Sequence, residues 1–164
     1  MISLILAVDK NWCIWKNNWL CWNLKKDLGF FYKKTINQVV IMWKNTYFSL
    51  PKHLRPLPDR INLIISTTFE DNNLKIFKKI DEAIKSVYEL NKEIFFIWWK
   101  SIYEYWINYS DKIYLTQVYW KFDCDICLSD NFFNYLKLNF NLSKKWQILE
   151  EKWIKYRFLE YKRI

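Results

Sequence analysis

The chain has 164 residues, 52% of them hydrophobic and 26% charged, which fits one globular domain with a good-sized core and excludes a disordered chain. Its net charge of +9 admits nucleic acid, anionic lipid or a small polyanion as partner, yet the lysines are scattered rather than gathered in one tract. The longest apolar runs, Ile2–Val8 (interrupted by Ser3) and Ile94–Trp99, are too short to span a bilayer and no export signal opens the chain, so a cytoplasmic protein with no membrane partner is expected.

Taken in order, Ile2–Val8 reads as a buried strand, being short, apolar and β-branched. Asp9–Cys21 is polar and turn-like and reads as a covering loop. A helix follows to about Thr35, with Asn23 as its candidate cap. On its inward face Leu24, Leu28 and Phe31 surround Asp27, while Lys25, Lys26, Lys33 and Lys34 fall mostly elsewhere. A carboxylate on that face must be paired, hydrogen-bonded or held for chemistry, because an unpaired buried charge is expensive. Val39–Met42 is a second buried strand, and Lys44–Leu50 a short helix stopped by Pro51. Pro51–Pro58, with the lone His53, is a loop.

Ile61–Ser66 is a third strand, followed by a helix capped by Asp81 and carrying Ile84, Val87 and Tyr88. Ile94–Ile97 is a fourth strand that leads through Trp98-Trp99 into a helix from Lys100 to Tyr105. Lys112–Val118 is a fifth, after which the helical period fades, and Tyr156–Lys162 alternates like an antiparallel strand. The expected fold is α/β, a single domain over residues 1–164. Its central sheet is mixed and mostly parallel, with helices on both faces and an antiparallel C-terminal strand pair.

In such a sheet, ligands bind beyond the carboxyl ends of the strands, where helix N-termini offer N–H groups to phosphate. Met42–Thr46 and Ile97–Ser101 are two strand-to-helix junctions of that kind, each with Lys and hydroxyl side chains. Cys124-x-x-Cys127 is half of a zinc knuckle whose second pair is missing, and Cys13 and Cys21 have no usual ligand spacing; no metal site and reduced thiols are expected.

Glycine is nearly absent. Average usage gives about eleven or twelve in a chain of this length, whereas this one has one Gly and 11 Trp. Several tryptophans stand where a turn or close backbone approach is wanted: Trp12, Trp15, Trp43, Trp98, Trp99 and Trp120. The expectation is that UGA codons specifying glycine in the source have been read as Trp, with Trp22 a true tryptophan.

Across essentially its whole length the chain resembles dihydrofolate reductase. The resemblance is carried by Ile2-Ser3-Leu4-Ile5, Leu20-Cys21-Trp22-Asn23-Leu24 with Asp27 and Phe31, and Val40-Ile41-Met42-Trp43-Lys44-Asn45-Thr46. It continues through Pro56-Leu57-Pro58-Asp59-Arg60, Ile97–Glu104 and Ile113-Tyr114-Leu115-Thr116. The family's pattern has Gly at Trp15, Trp43, Trp98 and Trp99, and Trp at Trp22. Cys21 replaces a common Pro and Lys44 a common Arg.

The resemblance implies NADPH-dependent reduction of 7,8-dihydrofolate. Asp27 would bind the pterin and promote its protonation, Thr116 would fix Asp27, and Leu20 and Trp22 would complete the catalytic group. Burial among Ile5, Leu28 and Phe31 should raise the pKa of Asp27. Ile5, Ala7, Leu28, Phe31, Leu50, Leu57, Ile97 and Tyr103 would contact the substrate, and Arg60 its glutamate carboxylate. Ala7, Ile14 and Trp15 would border the nicotinamide. Trp43, Lys44, Asn45 and Thr46, with Trp98, Trp99, Lys100, Ser101 and Ile102, would form the rest of the cofactor site. Lys44, Ser66 and Thr67 would favour the extra 2′-phosphate. A monomer without nucleic-acid partner is implied. Two other functions fit parts of the sequence: a related-fold reductase of a pyrimidine intermediate in flavin synthesis, and a basic, aromatic-rich nucleic-acid-binding module.

Overall fold

The computed structural model describes residues 1–17, 19–98 and 100–164, and the backbone alone of Trp19. The chain runs β1 (Ile2–Val8), β2 (Cys13–Lys16), β3 (Trp19–Leu20), α1 (Lys25–Thr35), β4 (Val39–Trp43), α2 (Lys44–Ser49), β5 (Ile61–Ile65) and β6 (Lys75–Phe77). It continues with α3 (Ile80–Val87), β7 (Ile94–Phe96), α4 (Lys100–Trp106), β8 (Lys112–Val118) and β9 (Ile126–Cys127). The last elements are α5 (Asp130–Asn139), β10 (Phe140–Lys145), β11 (Leu149–Glu151) and β12 (Ile154–Arg163).

The main sheet has the order β10-β12-β8-β1-β7-β4-β5-β6, with β11 paired to β12. From β8 to β6 every neighbour is parallel, and the β12 pairings are antiparallel. The central strands are apolar on both faces because both faces are covered. Leu4, Leu6, Val39 and Ile41 turn to the side packed by α3, α4 and α5. Ile5, Val40 and Met42 turn to the other, against Phe30 and Phe31 of α1 and Tyr47 of α2. The mixed sheet with helices on both faces is the one the strand and helix periods imply.

Besides the short strands β6 and β11, which the sequence reading lacks, four local features differ from it. The covering segment is not a plain loop: β2 pairs with β3 and with β9, forming a small second sheet. Trp15 lies inside β2, so no turn is needed there. Helix α5 was hidden because its apolar stripe is broken by Asn and Lys; Ser129 caps it by accepting the N–H of Phe132. Asp81 sits in the first turn of α3 rather than at its cap, which is Lys79.

The cysteines also depart from expectation. Cys13 is bonded to Cys127 and Cys21 to Cys124, so both bridges tie the covering segment to the stretch after β8. Among the described residues no cluster of His, Cys, Asp and Glu could hold a metal, and no described helix is long and apolar enough to cross a membrane.

The connectivity places a crevice. From β1 the chain passes through α1 to β4, leaving a gap that β7 later fills. The carboxyl ends of β1, β4 and β7 therefore meet at one edge, where the strand order reverses.

Candidate functional site

That edge opens into a cavity of about 650 Å³, a volume suited to a small organic ligand. One wall is the covering segment, with Trp15, Leu20 and Trp22; the floor is Asp27 and Leu28 of α1; the far wall is Asn45, Thr46, Phe48 and Ser49 of α2, with Trp98. A narrower recess leads inward past Ile5, Ala7, Ile14, Tyr103 and Thr116. A third cavity of about 400 Å³ lies beside Lys100, Ser101, Glu104 and Ile126. Trp15 borders all three and so forms their shared partition.

Asp27 is 9% exposed. It occupies the first turn of α1, and its carboxylate accepts a hydrogen bond of 2.7 Å from the Thr116 hydroxyl. Thr116 stands on β8 directly between Ala7 and Phe158, so a central strand fixes the acid from below. Burial pushes the Asp27 carboxyl up to about 6, against the hydroxyl of Thr116 and the nearby indole of Trp22, which favour the ionised form; the charge of Glu151 adds to the rise. The buried Trp22 indole N–H acts on Asp27 without completing a full hydrogen bond to it, and no other described residue accepts it, so its donor capacity is only partly used.

The capping of α1 was missed in the sequence. Asn23 is exposed and the cap residue is Leu24, which offers no side-chain acceptor. Glu151, from the β11–β12 hairpin, instead accepts the N–H groups of Lys25 and Lys26, each at 3.0 Å, and the hydroxyl of Tyr156. Burial works against the charge of Glu151, but the Tyr156 hydroxyl and these two N–H groups outweigh it and hold its carboxyl below the usual range. No local pattern marks a cap delivered from more than a hundred residues away. Phe48, Ser49 and Pro51 on the cavity wall were also missed, although α2 continues from Lys44-Asn45-Thr46 on the same face.

The other expected residues divide. Tyr103 is buried; its hydroxyl donates to the Ile5 carbonyl at 3.0 Å and accepts the Trp98 N–H at 2.7 Å, bracing the turn beside the recess. Leu28 lines the main cavity but is 47% exposed, so it is not part of the burial around Asp27 that the sequence implied. Leu50, Leu57 and Ile97 are buried in the layer behind the walls, and Ile102 and Trp43 pack into the opposite core. Arg60 donates to the Thr35 hydroxyl and the Pro58 carbonyl, with its guanidinium over Tyr32 and Phe31. Ser66 is buried and its hydroxyl oxygen accepts the N–H groups of Thr68 and Phe69, so it is committed to a turn; Thr67 is exposed. Lys44 donates to Thr68 at 2.8 Å. Trp99 lies outside the described residues.

Lys44, Asn45 and Thr46 at one strand end and Lys100 and Ser101 at another supply cationic and neutral donors along the same edge. That donor set fits an anionic dinucleotide. The carboxylate, the Trp22 indole beside it and the apolar walls fit a flat heterocycle bearing N–H donors.

The chain matches the family model described as Dihydrofolate reductase over residues 1–163. It is 38% identical to a dihydrofolate reductase of Buchnera aphidicola subsp. Acyrthosiphon pisum, across 84% of this chain and 81% of that protein. It is 32% identical to a dihydrofolate reductase of Ureaplasma parvum serovar 3, across 88% and 89%. A bifunctional dihydrofolate reductase-thymidylate synthase of Paramecium tetraurelia is 31% identical across 95% of this chain, which spans about a third of that longer protein.

Proposed function

The chain belongs to the dihydrofolate reductase family, and we propose that it reduces 7,8-dihydrofolate to 5,6,7,8-tetrahydrofolate with NADPH, as a cytoplasmic monomer of one domain and with no nucleic-acid partner. The observation that carries the reading is the buried carboxylate of Asp27, held by Thr116 at the floor of an aromatic-walled cavity. When bound, NADPH supplies the hydride.

The residues of the chain do the rest. Asp27 accepts N–H donors of the pterin and thereby fixes its orientation. With its pKa near 6, it keeps a protonated fraction at neutral pH and passes that proton, through water, to the ring nitrogen beside the reduced carbon. Thr116 and the Trp22 indole limit how far that pKa rises. Trp15, Leu20 and Trp22 cover the ring and exclude bulk water. Leu28 and Phe31 pack on the substrate, and Arg60 meets its carboxylate through donor capacity not used on Thr35 and Pro58. Lys44 and Thr67 face the 2′-phosphate side, and Asn45, Thr46, Lys100 and Ser101 hold the pyrophosphate.

The test is a spectrophotometric assay of NADPH oxidation with dihydrofolate, with and without methotrexate. Methotrexate-sensitive turnover that falls by orders of magnitude in Asp27→Asn at neutral pH is expected. Turnover with a pyrimidine substrate and none with dihydrofolate would overturn the assignment.

A further inference from the structure

Eight described residues other than glycine have positive φ, and three are tryptophans: Trp12 at 63°, Trp98 at 60° and Trp153 at 65°. Asn and Asp account for four of the others, as their short polar side chains lead one to expect. A large side chain gains nothing from this region and is strained there. The single glycine has no such need: Gly29 sits inside α1, and a Cβ built on it meets nothing within 4 Å. Glycine is thus placed where the backbone does not require it, and tryptophan where it does.

At each of the three positions the backbone is fixed by groups other than the indole. Lys152 and Trp153 are the two central residues of the β11–β12 hairpin, both with positive φ. A two-residue hairpin turn of that shape selects glycine most strongly at the second position. Trp153 is 63% exposed and its indole meets the ring of Trp120, itself 52% exposed, so burial in the core does not explain it. Trp12 donates its N–H to the Asp9 carbonyl and accepts the Leu128 N–H. Trp98 is held by Tyr103 through its N–H and by the Thr46 hydroxyl through its carbonyl, while its indole stacks on Phe31 and occupies the wall of the main cavity. Trp12 packs on Phe133 as Trp98 does on Phe31, so ring contacts do not separate these positions from Trp22 and Trp106, which differ in being buried at negative φ.

We propose that the working protein carries glycine at positions 12, 98 and 153, specified by UGA codons, and tryptophan at positions 22 and 106, specified by UGG. With glycine at 98 the indole leaves the cavity wall, and the edge between Asn45 and Lys100 opens to the phosphates of a dinucleotide. The cofactor part of this inference rests on the reductase reading; the backbone part does not.

Three measurements test it. The gene should show UGA at 12, 98 and 153 and UGG at 22 and 106; UGG at the first three overturns the proposal. Trp153→Gly in the full chain should raise the thermal midpoint by about 3 °C, whereas a fall overturns the hairpin argument. A fluorescence titration with NADPH should show binding at least about tenfold tighter in Trp98→Gly than in the chain as written; equal or weaker binding overturns the cofactor part. UGA codons in an enzyme inactive on dihydrofolate would remove the reductase reading and leave the glycine assignment standing.

Discussion

The folded chain holds a proton on Asp27 up to about pH 6, whereas the free side chain releases it near 3.8. Between those values the folded state binds more protons than the unfolded state, so stability falls as pH rises through that window and stays reduced above it. A shift of this size corresponds to about 3 kcal/mol at most. Asp27→Asn keeps an acceptor for Thr116 and carries no charge to bury. In urea unfolding it should therefore gain up to about 3 kcal/mol near neutral pH and nothing below about pH 4, while losing activity. An equal gain at both pH values would show that relief of buried charge is not the cause. Thr116 supplies a second check. Its hydroxyl favours the ionised acid, so Thr116→Val should push the Asp27 pKa higher and move the alkaline limb of the pH–rate profile upward.

Element by element, the buried central strands were legible, whereas the short strands at the edges and in the covering sheet, helix α5 and the ends of the helices were not. Lys112–Val118 has the sequence-expected bounds, and Ile2–Val8 likewise, because an apolar run buried on both faces advertises itself. The inward placement of Asp27 on α1 was legible from helical spacing, and its meeting with Thr116 from the family resemblance rather than from any local pattern. The cap of α1 was not, since Glu151 arrives from another hairpin. Nor were the cysteine pairs, whose partners lie 114 and 103 residues apart, or β2 and β3, which pair mainly through tertiary placement. Glu151 couples both themes, because it starts the helix that carries Asp27 and its charge raises the pKa of that acid. Glu151→Ala should cost about 1 kcal/mol through the lost cap. It should also shift the alkaline limb to lower pH, the direction opposite to Thr116→Val. A stability loss with an unmoved pH profile would reduce Glu151 to a cap alone.

For the whole molecule, the sign of the charge has two competing origins that one measurement separates. The net +9 rests on 26 Lys and Arg against 17 Asp and Glu, a balance that an AT-rich coding bias would produce without any function. Lys44 and Lys100, however, stand at the two strand ends that flank the proposed dinucleotide site. A multiply anionic cofactor approaching that edge is steered by the field of the surrounding lysines, and salt screens that field over about 10 Å at 0.1 M and about 3 Å at 1 M. If the charge serves binding, raising ionic strength from about 0.02 M to about 0.5 M should increase KM for NADPH several-fold and leave kcat nearly constant. Lys44→Gln should flatten that salt dependence, because it removes a cation at the site rather than one from the general surface. A salt-independent KM in the unmodified enzyme would assign the excess lysine to composition, with the neutral donors Asn45, Thr46 and Ser101 left to hold the phosphates.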